Sequence, residues 1–221
     1  MSDKAIELHT PRKLWLVISI LFSVVLVSSF SSLIFGPLSI PFKEIVSTLI
    51  GVNENSLYSS VLFSIRLPRI TAAILAGWGL GLAGLCYQSL LKNALASEYT
   101  LGISSGAAIG AVVASLFNLK FFMATPLFAF LGSMSTMLIV FSVARARFLT
   151  ETYSLVLTGI ILTAFGNALL SLLLSILSPN QLHAFFFWFM GSFAVVQWQS
   201  LLYVAPWILL VSLVIFFYSW E

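Results

Sequence analysis

Residues 14–35 read LWLVISILFSVVLVSSFSSLIF, and no charged side chain interrupts them. A bilayer core about 30 Å thick is crossed by about 20 apolar residues in helical form, so this stretch is long enough to span. It is too long for the apolar core of a signal peptide and has no convincing cleavage site. The rest of the chain has the same character, with 60% hydrophobic and 8% charged residues among 221 and a mean hydropathy of +1.09. An average soluble domain carries roughly a quarter charged residues. The fold class that follows is all-α, a polytopic bundle of membrane-spanning helices.

Outward from that first segment, five further spans are expected. Gly36-Pro37 breaks the first, and residues 38–51 place Ile40, Phe42, Ile45, Val46, Leu49 and Ile50 beside Lys43 and Glu44. That spacing suits a short amphipathic helix in the interface. The second span is expected to start near Pro68, since proline suits a helix's first turn, and to end near Leu91. The third covers about Leu101 to Asn118, the fourth Phe122 to Ala144, the fifth Thr152 to Leu177 and the sixth Gln199 to Ser219. Between the last two, the aromatic run Phe185 to Phe189 suits an interfacial or re-entrant segment.

Charge placement bears on orientation. With a cytoplasmic N-terminus, Lys4, Arg12, Lys13, Lys92, Arg145 and Arg147 lie inside, against Lys43, Arg66, Arg69 and Lys120 outside. The excess on the inner side favours that orientation, and six spans return both ends to the cytoplasm. Basic residues placed at the ends of apolar runs are topology signals, so nucleic acid is excluded as a partner. The one cysteine, Cys86, has no intrachain disulfide partner and reads as a small packing residue.

Small residues recur at helical spacing: Gly77, Gly81 and Gly84, then Gly102, Gly106 and Gly110 with Ala107, Ala111 and Ala114. Such faces let helix backbones approach where lipid supplies no hydrophobic drive. No ionisable residue falls well inside an expected span, whereas a proton-driven carrier commonly holds one near the midplane. Polar groups there are amides and hydroxyls such as Gln88, Thr158, Thr163, Asn167 and Ser171, which serve either as interhelical hydrogen-bond partners or as the lining of a pathway. The chain has neither a phosphate-binding G-x-x-x-x-G-K-[ST] loop nor an H-E-x-x-H helix. It is therefore expected to have no ATPase activity, no metal and no cofactor of its own, and any energy input comes from another subunit.

Arg66-Leu67-Pro68-Arg69, followed by Gly77, Gly84, Gln88, Asn93, Leu95-Ala96, Leu101-Gly102 and Gly106-Ala107, together with Trp188-Phe189-Met190-Gly191-Ser192-Phe193 and Trp198, resembles the FecCD-type permeases. These are the membrane subunits of importers for ferric siderophores, haem and cobalamin. The resemblance covers about residues 60 to 220. It departs at Ala94, where the family usually has proline in N-P-L-A, which leaves that loop less rigid.

The resemblance implies the permease of a type II ABC importer in the bacterial cytoplasmic (inner) membrane. Similar permeases have ten spans, pair as two copies or homologues around a central pathway, rest on two ATPase subunits and receive cargo from an external substrate-binding protein. Residues 1–13 are then a cytoplasmic N-terminus, and residues 14–221 a permease domain incomplete on its C-terminal side, because the family's ATPase-coupling loop follows the sixth span. The expectation is a fragment or truncated relative that does not couple to an ATPase alone. The resemblance also assigns Arg66 and Arg69 to docking of the binding protein, three apart at a helix start with both guanidinium groups facing water. Their alternative is snorkelling to the lipid interface. Asn93 and Leu95, with Gln88 a little over one turn above, match an inner constriction of the pathway, although Asn93 equally suits a helix cap. Competing readings are a secondary carrier or channel that needs no ATPase, and a scaffold or embedded enzyme, for which no catalytic constellation is visible.

Overall fold

The computed structural model describes residues 11–51, 56–119, 121, 123–145 and 151–218. Lys4, Lys120, Arg147, Phe122, Ser219 and most of the expected N-terminal segment 1–13 lie outside the described residues. Nine α-helices run in order among the described residues: α1 Pro11–Ile34, α2 Phe42–Leu49, α3 Ser56–Val61, α4 Leu67–Leu90, α5 Ile103–Leu116, α6 Ala124–Arg145, α7 Glu151–Ile176, α8 Pro179–Met190 and α9 Trp198–Tyr218. Five helical stretches among the described residues are long and apolar enough to cross a membrane. Their hydroxyls are largely satisfied inside the same helix, as when Ser19 donates to Trp15 O at 2.8 Å and Ser142 to Leu138 O at 2.7 Å. Such back-bonding is how a polar side chain resides in an apolar span without an orphaned group.

Two expectations about span limits are corrected. The second span does not begin at Pro68: a π-helical turn, Leu62–Arg66, joins α3 to α4, and one helical stretch runs from Leu57 to Leu90. The third is a helix of only 14 residues, about 21 Å long at 1.5 Å per residue and so shorter than a bilayer core. Both its ends are set by backbone chemistry. Gly102 precedes it with φ +72°, a left-handed conformation that glycine adopts freely. Past its last turn Asn118 takes φ +53°, and Leu119 N–H returns to Ala114 O at 3.2 Å, closing a Schellman motif.

The chain divides into two compact units, residues 1–76 with 193–221 and residues 77–192. In the first, α2 buries Ile45 and Thr48, and Ile45 forms a small core with Ile40 and Leu62, packed by Leu33, Ile34, Tyr58 and Val61. This agrees with the amphipathic spacing of residues 38–51.

In the second unit α5 is the central helix, packed on α6, α7 and α8. Its buried face is Ser105, Gly106, Ala108, Gly110, Ala111, Val112 and Ala114. A Cβ on Gly106 would lie 2.6 Å from Gly132 O on α6, and one on Gly110 2.6 Å from the Phe128 carbonyl carbon. Only glycine permits that approach, so the packing expected of Gly102, Gly106 and Gly110 is realised at α5 and its N-terminal boundary. Gly77, Gly81 and Gly84 differ, for added Cβ atoms there would meet nothing within 4 Å. Among the described residues nothing packs against those positions of α4. The aromatic run folds as α8, where Gln181 Oε1 accepts from Ser178 N at 3.1 Å and its Nε2 donates to Ser115 O at 2.7 Å. Phe185 is buried with Ala108, Ala111 and Leu177.

Candidate functional site

Pro68 organises the first candidate site. A proline inside a helix supplies no N–H and crowds the carbonyl four residues earlier. Here the chain widens ahead of it into the π turn, in which Leu67 N–H bonds Leu62 O, five residues back. Arg66 closes that turn. Its side chain is buried, and Nη1 and Nη2 donate to Leu33 O and Leu38 O on either side of the α1–α2 turn. Leu33 lies in the last turn of α1, where carbonyls have no intrahelical donor, so Arg66 acts as a cationic C-terminal cap. Gly36 makes room for it: a Cβ there would come within 2.9 Å of Arg66 Nη2.

The expectation that both guanidinium groups face water is therefore corrected for Arg66, whose fork is turned inward onto backbone oxygens. Arg69 remains exposed. Its Nε and Nη2 donate to Phe193 O and Ala194 O at 3.2 and 3.3 Å. From the other direction Trp198 Nε1 donates to Phe63 O at 2.7 Å. Residues 63–69 and the 193–198 segment, distant in sequence, thus meet at one place through three hydrogen bonds.

At the other end of α4, Lys92 adopts φ +47°. Asn93 N–H returns to Gln88 O at 3.1 Å, and Lys92 N–H to Ser89 O at 3.3 Å, the two bonds of a Schellman motif. The side chain of Asn93 then folds the loop, with Oδ1 accepting Leu95 N–H at 2.9 Å. This Asx turn fixes the backbone where the family usually has proline, with Ala94 inside it. Of the two readings of Asn93, one face of its amide serves the local turn. Leu95 projects 85% exposed at the apex, and Gln88 is exposed on α4. The turn is seated by Leu91, Ala96 and Leu101, buried with Val140, Ala144 and Leu155.

Between α5, α7 and α8 a cavity of about 100 Å³ is lined by Ser104, Ser105, Thr163 and Asn167, among others. That holds a few waters and is below the size of a drug-sized ligand site. Thr163 Oγ1 bonds Tyr99 O at 3.0 Å across to the turn before α5, whereas Ser171 bonds Asn167 O of its own helix. Among the described residues no three His, Cys, Asp or Glu side chains gather to hold a metal ion. Sequence reasoning found Arg66, Arg69 and Trp198 but not what they hold. Their acceptors are main-chain carbonyls, which carry no residue signature.

Long charge-free helices and a bundle packed through glycines define a polytopic α-helical membrane protein. Comparison with known proteins makes the class specific. The chain belongs to the FecCD transport family, whose profile matches residues 24–221. It is 32% identical over 201 residues to the iron-uptake system permease protein FeuC of Bacillus subtilis, covering 87% of this chain and 60% of that protein. It is also 32% identical to the hemin transport system permease protein HmuU of Yersinia pestis, over 88% of this chain and 58% of the relative. A solved structure described as a metal-chelate type ABC transporter in an inward-facing conformation superposes with a TM-score of 0.72 at 30% identity. The match covers 90% of this chain and 60% of that one. The chain spans about 60% of the length of such relatives.

Proposed function

We propose that this chain forms part of the permease of an ABC importer that carries a ferric siderophore, or haem or cobalamin, across the bacterial inner membrane. The observation that carries the reading is the family match over residues 24–221, together with relatives whose names describe iron and hemin permeases. On this reading a separate ATPase pair supplies the energy, an external binding protein delivers the chelate, and a second permease copy or homologue completes the pathway. ATP binding in the partners rocks the permease halves between outward and inward openings, and the chelate passes whole through a low-affinity route.

Arg69 is the docking residue for an acidic side chain on the binding protein, and Arg66 fixes the turn beside it. Exposed ion pairs of this kind contribute about 0–1 kcal/mol each, but they set register and raise encounter rates. Gln88 and Leu95, with Asn93 shaping the loop between them, lie at the inner end of the pathway. The N-terminus is cytoplasmic, as the placement of basic residues favours.

Uptake of isotope-labelled ferric siderophore in cells lacking this reading frame tests the proposal. Uptake is expected to be lost and then restored when the reading frame is returned to cells that hold the ATPase pair, the second permease copy or homologue and the binding protein. Transport by the chain alone in sealed vesicles, indifferent to ATP, would instead establish a secondary carrier or channel.

A further inference from the structure

We propose that Trp198 is a positioning residue that supplies the hydrogen-bond donor Pro68 lacks, and so latches the π turn that presents Arg69. In the π register Leu67 N–H bonds Leu62 O. The next carbonyl in that register, Phe63 O, faces residue 68, and proline has no N–H to give. The indole Nε1–H of Trp198 stands at that carbonyl, 2.7 Å away. Trp198 is the first residue of α9, so the donor is carried on a rigid element. Arg69 returns the connection through Phe193 O and Ala194 O. One side chain from each element thus reaches into the other's backbone.

The latch selects between two helical registers. A π turn holds one more residue than an α turn, and shedding it would rotate the chain on one side of the turn by about 100° relative to the other. Arg66, the last residue of the π turn, could not then keep both Leu33 O and Leu38 O, the contacts that fix the α1–α2 turn. Phe63 O without its indole donor would lose its partner in the π register, whereas the α register would supply Leu67 N–H, which favours the switch. Pro68 and Trp198 therefore form a pair: the proline empties the acceptor and the indole fills it.

The latch is a property of the chain itself, and only its effect on docking rests on the proposed function. The test is a double-mutant cycle read by backbone hydrogen exchange of the Leu67 amide, with the full chain in lipid nanodiscs. Trp198→Phe keeps the ring and removes the donor, and exchange is expected to quicken roughly threefold to tenfold. In the Pro68→Ala background the same substitution should change nothing further. Phe63 O then receives a backbone donor in either register, from the restored N–H at position 68 in π or from Leu67 N–H in α. An equal effect of Trp198→Phe in both backgrounds, or none in the native chain, would overturn the latch. A folding failure of Trp198→Phe that Pro68→Ala does not rescue would overturn it as well. Docking of the binding protein is measured in parallel. Accelerated exchange with undiminished docking leaves the latch standing and counts against the docking role of Arg69.

Discussion

Arg66 and Arg69 are three residues apart and share a side chain, yet they occupy opposite situations. The first is buried at 8% exposure and bonded to two main-chain carbonyls. The second is exposed and bonded to a loop. Planar, forked donors explain why arginine stands at 66, since one guanidinium spans two carbonyls that a lysine ammonium would not reach together. Arg66→Ala leaves the end of α1 without its cap and is expected to cost about 2–4 kcal/mol, with Arg66→Lys recovering only part. Arg69→Ala is expected to cost below about 1 kcal/mol and to act on docking instead. Thermal unfolding in detergent distinguishes them, and equal losses at the two positions would refute the division of labour. What the sequence displayed here was the pair and its spacing. The direction of Arg66 was not legible, because its acceptors are backbone atoms more than twenty residues away, contributed by Leu33 and Leu38.

At the scale of elements, the same small-residue spacing produced two outcomes. On α5, Gly106 and Gly110 meet the backbone of α6, and Gly132 answers them, with a Cβ there 3.0 Å from the Gly106 carbonyl carbon. On α4, added Cβ atoms at Gly77, Gly81 and Gly84 would meet nothing within 4 Å among the described residues. Periodicity announces a face that can be approached closely, and it does not say which neighbour uses it. Gly110→Ala and Gly132→Ala are expected to separate α5 from α6 and lower stability by more than about 2 kcal/mol, as overpacking of a tight contact does. Gly77→Ala and Gly81→Ala should leave the isolated chain within about 0.5 kcal/mol of native. A loss at the α4 positions matching that at α5 would contradict the open placement. The long helices were readable from uncharged runs, and the amphipathic spacing of residues 38–51 corresponds to α2 over Phe42–Leu49, whereas α3 had no such signal. Pro68 misled because proline signals a helix start in local chemistry. Here a π turn and a distant indole accommodate it within a longer helix. The shortness of α5 was likewise hidden, since the apolar run continues through Leu101 and Phe117 while the helix stops at its left-handed boundaries.

For the whole molecule, the short α5 bears on the number of crossings. Five stretches are long enough by themselves, and an odd count would place Lys13 and Tyr218 on opposite sides of the membrane. An even count requires that α5 complete a passage with the turns beside it. Irregular backbone is tolerated at membrane depth only where protein covers it. The turn before α5 meets that condition on its inner side, where Leu91, Ala96 and Leu101 are 2%, 5% and 1% exposed and Thr163 on α7 bonds Tyr99 O, while Leu95 at its apex stays exposed. Six crossings are therefore the expected count, with both ends on the side that the basic residues mark as cytoplasmic. Single cysteines at Lys13, Ser47 and Tyr218 in a Cys86→Ser background report this directly through an impermeant thiol reagent applied to intact cells. Ser47→Cys on α2 is expected to label at once, and Lys13→Cys and Tyr218→Cys only after permeabilisation. Labelling of Lys13→Cys and Tyr218→Cys from opposite faces would make the count odd, and α5 would then be a helix that enters the bundle without carrying the chain across.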